Sequence, residues 1–141
     1  MTRGFDNWTS ADIDRIRSSG TATVAQEPKP TKADIKRESE LQSLCELELN
    51  RRGIAFLHLS PKAREKKGWP DLVFCFRTSA GEPWPCAVEL KGPVGVLSND
   101  QIDVLTRMRE NVWHTYVIRD MTTFVDLLNG HKPEEWRKDG T

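Results

Sequence analysis

Between Asp34 and Arg52 the apolar residues Ile35, Leu41, Leu44, Cys45 and Leu47 or Leu49 recur at near-helical spacing, and Gly53 follows as a natural C-terminal stop. This spacing predicts a first core helix from Ala33 or Asp34 to Arg52. The period then changes. "IAFLHL", residues 54–59, is a short and nearly continuous apolar run that reads as a strand buried on both faces. "DLVFCF", 71–76, and "PCAVELK", 85–91, are two further strands joined by the turn-forming "RTSAGEP", and so short a link predicts an antiparallel pair. Ser98 is placed to cap a helix running to about Asn111, with Ile102, Leu105 and Met108 or Arg109 on its inner side. "WHTYVI", 113–118, supplies a fourth strand, and "DMTTFVDLLNG" a last helix capped by Asp120 and stopped at Asn129-Gly130. The order helix, strand, strand, strand, helix, strand, helix predicts an α/β fold: a mixed central sheet of about four strands flanked by helices.

Outside this block the pattern fades. Residues 1–33 are poor in core-forming side chains, and "SSGTATVAQEPKPTK" has the content of a flexible linker, preceded by a short helix over "TSADIDRIR" with Ser10 as its cap. The tail "HKPEEWRKDGT", 131–141, is polar and reads as loose apart from Trp136. Residues 34–130 therefore stand out as one small domain, in keeping with 141 residues and a 37% hydrophobic content.

Twenty-one basic and twenty-one acidic residues cancel, so attraction to a polyanion has to come from a local patch. Cys45, Cys75 and Cys86 are odd in number and lack C-x-x-C spacing, which argues against a disulfide framework and against zinc. They read as small core residues in a reducing compartment. His58 and His114 alternate with apolar neighbours and read as sheet histidines with satisfied partners. No apolar run approaches the roughly 20 residues of a membrane span, and "MTRGFDNWTS" has no hydrophobic signal region, so a cytoplasmic protein with no membrane partner is expected. No phosphate-cradling glycine motif is present, which points away from a nucleotide cofactor.

The candidate chemistry sits on "AVELKGP". In an extended strand Glu89 and Lys91 point to one face while Val88 and Leu90 point to the other. Asp71 opens the strand paired with this one, and a simple register brings its carboxylate near Glu89. Two carboxylates that close repel unless a cation lies between them, and hard oxygen ligands partly open to water suit Mg²⁺ or Mn²⁺. A neighbouring lysine can position or deprotonate a water, or stabilise charge developing on a phosphate. Taken alone, an E-x-K triplet is more often a solvated pair on an edge strand. Here "GWPD" fixes where Asp71 emerges, Glu38 or Glu40 lies in the first helix, and Gln101 stands near the start of the next. The loop "PKAREKKG" carries Lys62, Arg64, Lys66 and Lys67 just ahead of Asp71; such runs are ordinarily solvated, but beside this site they can contact phosphates. Trp69 ordinarily packs under its own loop, the alternative being a stack on an unpaired base.

Together "RESELQ", "GWPDLV", "AVELKGP" and "LSNDQ" resemble the virus-type replication-repair nuclease (VRR-NUC) family of the PD-(D/E)xK nucleases, in the order and over the length from about Glu38 to Leu128. The resemblance implies a restriction-endonuclease-like α/β/α core and Mg²⁺-dependent hydrolysis of DNA, with branched DNA such as four-way junctions as substrate. It also implies a homodimer and, for a phage-encoded member, the cytoplasm of a bacterial host. Carried over by position, it makes Asp71 and Glu89 metal-binding carboxylates, with Glu38 (or Glu40) and the backbone carbonyl of Leu90 as further ligands. Lys91 becomes the catalytic lysine and Gln101 the glutamine that follows the E-x-K strand. Two other readings stay open: a non-catalytic DNA-binding module on the same fold, and a small restriction-type nuclease.

Overall fold

The computed structural model describes residues 31–59 and 67–138. The expected short helix near Ser10 and the loop residues Lys62, Arg64 and Lys66 lie outside the described residues.

Helix α1 spans Lys32–Arg51 and starts two residues or so before the apolar period suggests. Its start is set by a capping box that the hydrophobic pattern does not reveal: the Thr31 hydroxyl accepts the Asp34 N–H at 3.1 Å, and Asp34 Oδ2 accepts the Thr31 N–H at 2.9 Å. Of the apolar residues expected inside, only Leu41, Cys45 and Leu49 are buried, while Ile35, Leu44 and Leu47 face solvent. A helix laid flat on a sheet buries a narrow stripe, here spaced every four residues.

The strands are β1 (Phe56–His58), β2 (Leu72–Arg77), β3 (Pro83–Leu90) and β4 (His114–Ile118); α2 (Asn99–Glu110) lies between β3 and β4, and α3 (Met121–Leu128) follows. They form one sheet in the order β1-β2-β3-β4. The first two pairings are antiparallel and β3 with β4 is parallel, α2 supplying the crossover that a parallel pair requires. β1 corrects an expectation. It is a three-residue edge strand with Leu57 53% exposed, not a strand buried on both faces. An apolar run does not encode its place in the strand order.

Leu72, Phe74, Val88, Leu90, Tyr116 and Ile118 point toward α1 and α3, where Leu41, Leu49, Phe124 and Leu127 meet them. On the opposite face Ala87 packs with Leu105 and Met108 of α2, flanked by Val73, Val104 and Trp113. The molecule is thus an α/β/α layering, and β3 is covered on both sides. Cys45 and Cys86 are core residues, and burial pushes both thiols up; Cys75 is exposed, contrary to its expected place inside.

The tail has no regular structure through Lys138, yet it is tied down rather than loose. Trp136 N–H donates to the Thr115 carbonyl at 2.7 Å, and Glu135 accepts from Arg109 at 2.9 Å. Lys132 lies 3.4 Å from the centre of the Trp84 ring, whose plane also stacks on His114. Among the described residues no helix is long and apolar enough to cross a membrane.

Candidate metal-binding active site

The register decides where the acids meet. β2 and β3 pair Leu72 with Val88, and one further step sets Asp71 level with Glu89. Asp71 Oδ2 accepts the Leu90 N–H at 2.8 Å, so the carboxylate is anchored to the backbone of the strand that carries Glu89. The preceding turn is fixed as well. Gly68 has φ +83, and a Cβ there would lie 2.5 Å from the Asp100 carbonyl oxygen, so the turn presses directly on the first turn of α2. Lys67 pairs with Asp100 at 3.2 Å, and Pro70 is fully buried.

Glu89 shares its face with Ala87, under α2, and is only 3% exposed. Gln101 reaches it: Nε2 donates to Glu89 Oε1 at 2.7 Å. The other end of the same amide closes a capping box, with Oε1 accepting the Ser98 N–H at 2.8 Å. The start of α2 therefore orients the glutamine that holds Glu89. Lys91 Nζ stands 3.8 Å from Glu89 Oε1, and Glu89 Oε2 is buried without a hydrogen-bond partner. From α1, Glu38 Oε1 accepts the Gly92 N–H at 3.3 Å, whereas Glu40 faces solvent beside Lys36. The geometry thus selects Glu38 over Glu40 as the helix acid at this end of the sheet.

Burial, first, and the charge of Asp71, second, push the Glu89 carboxyl well above its ordinary 4.5, against the pull of Lys91. Burial likewise raises Asp71, opposed mainly by the Leu90 N–H, and raises Glu38, opposed mainly by the Gly92 N–H. Three carboxyls at one site are therefore each hard to ionise without a compensating cation. Among the described residues no three acidic, histidine or cysteine side chains form a ready-made metal cage. The donor set nonetheless fits a hard divalent cation: the oxygens are carboxylate oxygens, and Glu89, which when protonated can donate to Asp71, when ionised leaves Oε2 desolvated and without a donor.

Gln101, Lys91 and Asp71 thus lie around Glu89 at one end of the sheet, and Glu38 reaches the same end through the Gly92 N–H. Leu90 joins them through its N–H; Lys67 and Trp69 are exposed in the turn next to Asp71. Sequence reasoning missed Arg119 and placed His58 only in part. Arg119, at the end of β4, donates from Nη1 to the carbonyls of Gly92 at 2.6 Å and Gly95 at 2.8 Å. His58 is a strand histidine with a partner, as expected, but its partners Gln42 and, 3.8 Å away, Glu46 come from α1. A lone basic residue ending a strand carries no motif signal, and nothing in "VIRD" marks Arg119. A separate cleft of about 490 Å³, lined by Trp84, Tyr116, Lys132 and Arg137, lies at the other end of β3.

Comparisons with known protein families, with curated proteins and with solved structures find no match to this chain.

Proposed function

We propose that the chain is a metal-dependent endonuclease that hydrolyses DNA phosphodiester bonds, selective for branched DNA such as four-way junctions. The observation that carries this reading is Glu89, a buried acid with one oxygen unpartnered, set beside Asp71, Glu38 and Lys91. A desolvated carboxylate of this kind raises the energy of the ionised protein, and a cation bound there offsets it.

Asp71, Glu89 and Glu38 are the residues that would hold Mg²⁺ or Mn²⁺, with the Leu90 carbonyl added by the family resemblance. When bound, such an ion supplies Lewis-acid polarisation of the phosphate and a more acidic water. The chain's own groups do the rest. Gln101 holds one oxygen of Glu89 and leaves the other uncommitted. Lys91, largely shielded from solvent, positions the attacking water or neutralises charge developing on the phosphate oxygens. Lys67 and Trp69 are exposed where the DNA backbone and an unpaired base have to pass to reach Asp71. Two copies related by a two-fold axis cut opposite strands of a symmetric junction, which makes a homodimer the working assembly.

The test is cleavage of single-stranded, duplex, flap and four-way DNAs with Mg²⁺ or with chelator. Metal-dependent products from the branched substrates are expected, none from folded Asp71→Ala or Glu89→Ala variants, and far slower product formation from folded Lys91→Ala. A non-catalytic DNA-binding module is the second reading. It is favoured by the fact that Asp71, Glu38 and one oxygen of Glu89 already hold protein partners. Tight junction binding unchanged by chelator, without product, would decide for it.

A further inference from the structure

The turn that follows the E-x-K strand is gripped from β4. The Gly95 N–H closes it by donating to the Gly92 carbonyl at 3.2 Å, and a single nitrogen, Arg119 Nη1, bridges the carbonyls of Gly92 and Gly95. The Lys91 N–H donates to the Ile118 carbonyl at 3.1 Å, which places the base of Lys91 beside the residue that precedes Arg119. Charge-assisted bonds of this type are stronger than neutral ones, and the arginine is half-buried, so its charge is held at some desolvation cost for a local purpose.

What the turn touches gives that purpose. A Cβ on Gly95 would lie 3.2 Å from Lys91 Cδ and 3.4 Å from Glu38 Oε1, so the bare glycine backbone is the surface on which both side chains rest. From the same turn the Gly92 N–H donates to Glu38 Oε1. The helix acid and the strand lysine have no common secondary-structure element; the 92–95 turn is their shared support.

We propose that Arg119 is a positioning residue: by clamping the Gly92–Gly95 turn it holds Lys91 and Glu38 in one arrangement at the acidic site. The proposal rests on the nuclease reading for its catalytic consequence, while the clamp itself has a readout that needs neither metal nor DNA.

The experiment compares wild type, Arg119→Ala, Arg119→Lys and Gly95→Ala in the full chain. Metal-free protein is treated with an amine-acylating reagent and Lys91 modification is followed by peptide mapping, with amide exchange at residues 92–95 in parallel. Arg119→Ala is expected to speed both several-fold while circular dichroism is retained. Arg119→Lys is expected to recover most of the protection, because one nitrogen meets both carbonyls. On junction DNA with Mg²⁺, Arg119→Ala is expected to lower kcat by roughly ten- to a hundredfold with KM nearly unchanged, as a small displacement of reacting groups does. Gly95→Ala, which pushes on Lys91 and Glu38 directly, gives the labelling rate of a displaced turn. Should Arg119→Ala not fold, Arg119→Met, which keeps the length without the donors, decides: labelling that speeds toward the Gly95→Ala rate supports the clamp and unchanged labelling overturns it. Unchanged labelling and kcat in a folded Arg119→Ala overturn it outright. A wild type that cuts no DNA sinks the nuclease reading alone, and the labelling series still decides the clamp.

Discussion

Glu89 concentrates the electrostatic tension of the molecule in one side chain. Its folded-state pKa is raised, so at neutral pH an ionised Glu89 opposes folding. Glu89→Gln removes the charge while keeping an acceptor. The substitution is expected to raise the thermal midpoint of chelator-treated protein at neutral pH and to abolish cleavage; a midpoint that falls would show that the acid is not strained as described. Lys91 is the complementary case. Lys91→Ala is expected to reduce kcat by about 10²–10⁴, the usual range for losing a proton-transfer or charge-stabilising group, as read in single-turnover cleavage. At the rim, exposed Trp69 can offer a face to an unpaired base. Trp69→Ala is expected to lose about 1–3 kcal/mol of junction affinity, with Trp69→Phe retaining most of it, in fluorescence anisotropy under chelation. Equal loss in both variants would point to a packing role instead.

Among the elements, α2 does most to turn two acids into a site. It closes the sheet face above Ala87, its first turn abuts Gly68, and its capping glutamine binds Glu89. Gly68→Ala places a Cβ against the Asp100 backbone at a positive φ, so loss of the Asp71 position is expected, with cleavage lost and the midpoint lowered. Leu105→Ala, in the fully buried centre of the helix, is expected to cost about 2–5 kcal/mol in chemical unfolding. These elements differed in how legible they were. Ser98 and Asp120 mark the starts of α2 and α3, because a capping side chain is a local signal. The pattern places inside several residues of α1 and β1 that the structure exposes, because α1 buries only a narrow stripe against the sheet and β1 lies at the sheet edge.

For the molecule as a whole, the three raised acids give a stability profile with a definite sign. Their folded pKa values lie above the ordinary 3.8 of Asp71 and 4.5 of Glu38 and Glu89, so the native state binds more protons and metal-free stability falls as pH rises through that window. Glu48, held down to about 2 by Arg51 and Arg52, has the opposite sign and acts only as pH drops below 4.5. Added Mn²⁺ is expected to raise the thermal midpoint more at pH 8 than at pH 5, because its ligands have to be deprotonated, and to do nothing for Glu89→Gln. Equal stabilisation at both pH values would contradict the assignment. The chain alone determined the element order and the helix caps of α2 and α3, because period and capping are local properties, and its motifs, through the family they resemble, marked Asp71, Glu89, Lys91 and Gln101 as candidates. Only the tertiary structure decided that β3 is central and Glu89 dry, that Glu38 rather than Glu40 faces the site, and that Arg119 grips the turn between them. Those follow from strand order and from contacts between residues up to 54 positions apart, as Glu38 to Gly92 is, and such proximity has no period to read.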